Sequence, residues 1–258
     1  TFMTGFGMFG AIIFVPLFFQ GVLGASATSS GSFLTPMMLG VVFGAAISGQ
    51  LLSRTGGHYR VQGLIGIAIM TVGLFLMSRM DENTSNAKAI AYIVIMGFGL
   101  GNTFPVFTIA VQNAVSFSVM GVATSATQFF RSIGGTLGLA VLGAFMASRF
   151  VSTLSGSLSP ALKQAIPPEQ LAAISDNPQA LVNPEALAAL QAQFAERGPQ
   201  GAQLAEQLLS TLRASLASAI ADVFLFGVIV LGIALVATLF LRERPLRGRG
   251  GGMPPGGG

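Results

Sequence analysis

Apolar runs dominate the chain, at residues 2–23, 32–53, 61–79, 89–111, 123–148 and 219–241. A helix needs about 20 apolar residues to cross the hydrocarbon of a bilayer, so each run predicts one membrane-spanning helix. The breaks between the first five are short. One polar stretch, 149–218, is long and has a pattern of its own. There "NPEALAALQAQF" offers Asn183 as a helix cap, Pro184 at the first helical position and Glu185 in the first turn, with Leu187, Leu190 and Phe194 on one face. Beyond "RGPQG", Leu204, Leu208, Leu212 and Leu216 recur every four residues up to the last run. The stretch therefore predicts a loop with short amphipathic helices, either a structured spacer or a docking element. Residues 242–258, rich in Arg and Gly, predict a disordered tail.

Orientation follows from where the cations sit. Arg54 and Arg60 flank the break after the second run, and Arg242, Arg244, Arg247 and Arg249 follow the sixth. The break after the third run holds Asp81, Glu82 and Lys88. Short cytoplasmic loops carry the excess of Lys and Arg, so both ends of the chain are expected in the cytoplasm and 149–218 outside. Thr1 opens within an apolar run without an initiator Met, so the chain reads as part of a longer polypeptide.

Composition narrows the chemistry. Charged residues make up 9 % of the chain against 52 % hydrophobic, where soluble domains carry about 25 % charged. The net charge of +4 is spread over the ends of apolar runs, which argues against a nucleic-acid partner. Without cysteine and with one histidine, thiolate, disulfide and Cys/His metal chemistry have no residues to use. "GFGLG" at 97–101 lies inside a run with no strand before it, so it is not a nucleotide loop. No run carries an acid/base pair or a Ser/His/Asp set, which disfavours an enzyme, and no cofactor is expected.

Two runs resemble each other. "GAIIFVPLFFQG" in the first and "GNTFPVFTIAVQN" in the fourth both open on glycine, are rich in Phe, and carry a proline and then a glutamine. Three runs separate them, as two three-helix repeats of inverted topology require. On the first, Phe9, Ile13, Pro16 and Gln20 share a face; on the fourth, Phe98, Asn102, Pro105, Ile109 and Gln112 do. Aromatic surface with a few amides suits a lipophilic ligand, and simple packing residues are the alternative. In the fifth run, Thr124, Gln128, Arg131, Gly135 and Gly138 share a face. Arg131 is a full charge inside a span, either an inter-helix anchor and gate or a snorkelled arginine. Gly40 with Gly44, and Gly134 with Gly138, form GxxxG pairs that permit close helix approach.

Together the six runs, the basic Gly-rich break after the second, and "GLGNTFPVFTIAVQNAV…GVATSATQFFRSIGGTLGLAVLGA" resemble the C-terminal half of a major facilitator superfamily transporter. More narrowly, they are similar to the fourteen-span drug:proton antiporters of the EmrB/QacA type. The resemblance covers about 1–150 and 219–241. It implies an all-α, six-helix membrane bundle forming one half of that fold, from two inverted three-helix repeats, in a bacterial plasma membrane. It also implies a lipophilic small-molecule substrate, protons, membrane lipid and an N-terminal half of the same polypeptide as partners. The superfamily's loop signature, roughly G-x-x-x-D-R-x-G-R-R, is met by Gly49, Arg54 and Gly56, with Arg60 a partial substitute for its basic pair. Ser53 stands at the aspartate position, which puts an aspartate-based gating contact in doubt. No acid lies in the interior of a run; Asp222 is nearest, at the outer end of the last. A proton carrier is therefore expected in the other half. A membrane scaffold or sensor that docks a partner through 149–218 is the alternative.

Overall fold

A computed structural model describes residues 1–26, 31–54, 58–160, 162, 194 and 199–243. Its elements are α1 (Phe2–Gly21), α2 (Leu34–Arg54), α3 (Tyr59–Met77), α4 (Asn86–Ala114), a 3-10 turn (Phe117–Val119), α5 (Met120–Ser157) and α6 (Pro199–Leu239). Among the described residues there is no strand, and six helices are long and apolar enough to cross a membrane. Their outward faces are apolar, as at Val42 (62 % exposed), Phe43 (60 %), Phe129 (60 %) and Ile229 (59 %). Such surface is tolerable in lipid and unstable in water.

Two helices exceed what a bilayer needs. At 1.5 Å per residue the 38 residues of α5 and the 41 of α6 reach about 57 and 61 Å, roughly twice the hydrocarbon thickness. Both continue into the stretch expected to be a loop from 149 to 218. The reason is an unbroken four-residue period. Leu142, Met146, Phe150 and Leu154 are buried along α5, and Leu208, Leu212, Leu216 and Ile220 along α6. No proline interrupts either series, so the span and its extension form one helix. Phe194 is buried with them. The expected cap at Asn183–Glu185, together with Leu187 and Leu190, lies outside the described residues, as does the tail from Arg244.

The packing has a simple plan. α4 lies against α2 and α3, α1 lies against α5 and α6, and the two groups meet where α3 packs on α6 and α4 on α5. Exchanging α1 with α4, α2 with α5 and α3 with α6 maps the main contacts onto one another, as inverted repeats do. The exchange fails in one place: α5 and α6 pack along their extra length, whereas α2 and α3 barely meet.

Glycine makes the tight seams. A Cβ on Gly44 would strike the Phe98 carbonyl, and one on Gly101 the Val41 carbonyl, so α2 and α4 touch backbone to backbone. Across α1 and α5, Gly134 faces the Phe2 carbonyl and Gly5 the Arg131 carbonyl. Lipid supplies no hydrophobic drive between helices, so close packing and Cα–H···O contacts carry the association. Gly44→Val and Gly134→Val are each expected to destabilise the fold by about 1–3 kcal/mol or more, because the obstacle is backbone that cannot rotate away. Gly143 has open space around it, and Gly143→Ala is expected to be neutral or to stabilise by up to about 1 kcal/mol. Thermal stability in detergent, read by size exclusion, would separate the three; equal melting would discount the seams.

Candidate functional site

The α2–α3 and α4–α5 turns share one end of the bundle with the start of α1 and the end of α6. Apart from Ser215 in the extension of α6, the buried polar residues described gather in the half towards that end. Ser48, Gln62, Thr127 and Arg131 are all at most 6 % exposed, and Asn102 is 7 % exposed. In an apolar interior each needs a partner.

Gln62 finds two at once. With its amide oriented to satisfy both ends, it donates to the Ser48 carbonyl at 3.2 Å and accepts from the Leu52 N–H at 3.1 Å. Those are the i and i+4 backbone groups of one turn of α2. An α3 side chain thus pins itself to the backbone of α2, the neighbour it otherwise barely touches. The Ser48 hydroxyl donates to the Asn102 carbonyl on α4 at 3.1 Å, so three helices share the cluster. The Asn102 amide lies against Gly66, and its Oδ1 has no hydrogen-bond partner among the described residues.

The second polar seam joins α4 to α5. Gln112 donates its amide to the Thr124 hydroxyl at 3.1 Å. Deeper in, the Arg131 guanidinium sits 4.2 Å from the Phe104 ring centroid. Its Nη1 donates to Gln128 Oε1 at 3.1 Å, and its Nη2 has no hydrogen-bond partner among the described residues. Arg131 does not snorkel: it is 4 % exposed. A desolvated cation–π contact is worth about 2 kcal/mol, and a hydrogen bond to a charged group about 1.5–3 kcal/mol. Together, at about 3.5–5 kcal/mol, they are enough to offset the insertion cost of about 2.5–3.5 kcal/mol for a mid-span arginine.

The ligand-facing candidates are arranged less uniformly. Phe9, Pro16, Gln20, Phe98, Pro105 and Gln112 are half-buried, and Ile13 is exposed. They leave α1 and α4 each with a partly open aromatic strip, with the Phe9 ring over Gly135 of α5. Asn102 is instead buried in the α2–α3–α4 seam, and Gln112 is tied to Thr124. In the turn, Arg54 is exposed in the last turn of α2, where a cation suits the helix dipole. Among the described residues a Cβ on Gly49 would meet open space, the Ser53 hydroxyl donates to the Gln50 carbonyl, and Gly56 lies outside the described residues. Gly134 and Gly138 meet Phe2 and Phe6 of α1. A cavity of about 310 Å³ at this end, between α1, α3, α4 and α6, contains none of the candidates; Phe2, Met3, Ile67, Phe107 and Leu241 are among its walls. At the far end of the spans Arg149 pairs with Asp222 at 3.2 Å, both partly exposed. A solvated pair of this kind contributes about 0–1 kcal/mol.

Sequence reasoning passed over Gln62, Ser48 and Phe104. Gln62 had a usable signal, as a lone amide within the apolar run 61–79. Phe104 had none, since one phenylalanine among 21 is not distinguished by its type. Among the described residues no group of His, Cys, Asp or Glu could hold a metal ion.

Residues 1–139 match the family described as Major Facilitator Superfamily. The chain is 36 % identical over 252 residues to the multidrug transporter protein MdtP of Bacillus subtilis, covering 93 % of this chain and 44 % of that protein. It is 35 % identical over 246 residues to the uncharacterized MFS-type transporter Rv1877 of Mycobacterium tuberculosis, covering 95 % of this chain and 32 % of the relative. The chain thus spans less than half the length of either. Among solved structures, a bacterial homologue of the human lysosomal transporter Spinster, inward-facing and unoccupied, superposes with a TM-score of 0.55 at 18 % identity. That match covers 95 % of this chain and 47 % of the other, and it supports the fold alone.

Gln62→Leu keeps the volume but removes both bonds from α3 to this turn of α2, leaving the Ser48 carbonyl and the Leu52 N–H only their bond to each other. It is expected to cost about 0.5–1.5 kcal/mol, whereas Gln62→Glu retains an acceptor for Leu52 and loses the donor. Faster amide exchange around Leu52 in the Leu variant would confirm the pin; unchanged exchange would remove it.

Proposed function

Because the chain belongs to the major facilitator superfamily, we propose that it forms one half of a secondary active transporter exporting lipophilic or drug-like compounds by alternating access, driven by the proton gradient. It is an integral membrane protein and not an enzyme. The similarity to a multidrug transporter over 93 % of the chain carries the reading. The aromatic strips of α1 and α4 support it, because ring faces accommodate bulky or cationic molecules without fixed geometry. Pro16 and Pro105 lie inside those two helices, and a proline inside a helix leaves a carbonyl without its N–H partner and favours bending.

The end that gathers Arg54, Arg60 and Arg242 is the cytoplasmic one, in a bacterial plasma membrane, by the excess of cations there. Arg131 is then the anchor of a cytoplasmic gate: it holds α5 to α4 through Phe104 and would release that seam as the half tilts. Among the described residues no acid lies in a span interior, and Asp222 is occupied by Arg149. The proton is accordingly carried by a carboxylate elsewhere in the polypeptide, on the helices that complete the second half.

In everted vesicles containing the full-length transporter, a proton gradient is expected to drive uptake of a fluorescent lipophilic cation, and an uncoupler to abolish it. Arg131→Ala is expected to lower that flux by roughly 10–30-fold, the loss of about 1.4–2 kcal/mol, with insertion intact and Arg131→Lys intermediate. No gradient-dependent flux of any lipophilic probe would favour a scaffold. Normal flux in Arg131→Ala would end the gate role alone.

A further inference from the structure

The α3 helix begins awkwardly. Its cap residue His58 makes no side-chain capping bond, and its first turn holds no acid. Instead Arg60 puts a full positive charge beside first-turn N–H groups that have no intrahelical acceptor and already carry a partial positive charge. The residue between them, Tyr59, is 2 % exposed, so its hydroxyl must find a partner inside the protein.

All three needs are met from the far end of the chain. Leu241 packs on the small buried group of Leu52, Tyr59, Val106 and Ala110. The Arg242 carbonyl accepts from the Tyr59 hydroxyl at 2.9 Å, across 183 positions of sequence. The Glu243 carboxylate accepts from the Arg60 backbone N–H at 3.2 Å. Three consecutive residues thus engage the α2–α3 turn by packing, by a neutral hydrogen bond and by a charge-assisted one. Glu243 is the acid that the first turn of α3 lacks.

We propose that Leu241–Glu243 form a clasp that positions the α2–α3 turn, with the Arg242 carbonyl and the Glu243 carboxylate as the positioning groups. The clasp makes α3 and the end of α6 a single strut, continuing the contact that Gly227 makes with Leu74 deeper in the bundle. Gln62 secures the same turn from within, so α2 and α3, which share little packing, are held together at both depths. Moving the turn away from α6 means breaking the Tyr59 bond and uncovering Leu52 and Ala110. The two bonds are unequal. Tyr59–Arg242 is partly buried and Arg60–Glu243 is exposed, so water screens the second and the first carries more of the hold.

These 258 residues hold no cysteine, so Ala110→Cys, in a full-length protein whose remaining cysteines are replaced by serine, provides a single probe at a site 7 % exposed. In membranes holding the full-length protein, a membrane-impermeant maleimide supplied on the turn side is expected to label it slowly. Adding Tyr59→Phe is expected to speed labelling about tenfold, the ratio for one net hydrogen bond of about 1.4 kcal/mol. Glu243→Gln is expected to speed it about two- to threefold, and Glu243→Asp to restore the parent rate. Ala219→Cys, at a fully buried site far from the clasp, is expected to stay protected throughout. Unchanged labelling in both Tyr59→Phe and Glu243→Gln would overturn the clasp. So would a parallel rise at Ala219→Cys, which would mean general loosening. Equal rates in Glu243→Asp and Glu243→Gln would remove the carboxylate from the account. None of these readouts depends on transport, so the clasp and the transporter reading fail separately.

Discussion

Inside a bilayer, neither water nor the hydrophobic effect can draw one helix to another, and every backbone polar group must be satisfied within its own helix. What remains is contact, and contact grows as backbones approach. The glycines of α2, α4 and α5 turn that constraint into a fold. Gly44 and Gly101 bring α2 and α4 together, and Gly5 and Gly134 do the same for α1 and α5. With α1 and α4 each locked to one partner, α3 and α6 have one place left, against each other and against the central pair. The half-open strips on α1 and α4 are the part of these two helices that the seams do not cover.

Polar groups are then sorted by what can satisfy them. Arg131 stays buried because an aromatic face and one amide together offset roughly what its insertion costs. Gln62 stays buried because a turn of α2 offers a carbonyl and an N–H at the right spacing. Asp222 and Arg149 have no such surroundings and meet at the partly exposed edge of the spans. The consequence is an asymmetric bundle. One end is cross-linked by polar seams between helices, and the other is lengthened by apolar helix extensions.

Helix existence was legible in the sequence because span length and hydropathy are local properties, fixed by the solvent the segment must face. The GxxxG pairs were legible for a related reason: in lipid a small residue has few uses other than close approach. Helix ends were harder. The stretch from 149 reads as polar, yet Met146, Phe150 and Leu154 keep their period straight through it and α5 continues to Ser157. Polarity marks where water begins, while periodicity marks where the helix ends, and the two need not coincide.

Site geometry was decided by tertiary structure. Residue types along α4 put Asn102 and Gln112 on a ligand-facing stripe, but helix rotation places Asn102 against Gly66 and Gln112 against Thr124. Arg131 was conspicuous as a buried charge, whereas its partner Phe104 could be named only once α4 and α5 were in register. The meeting of Glu243 with Arg60 spans 183 positions of sequence, and nothing local to either residue announces it. By itself the sequence determined the solvent, the number of spans and the places where backbones can touch, since each depends on residues close together along the chain. Which polar group meets which was left to the packing of six helices, because it depends on rotations and offsets set by contacts far apart in sequence.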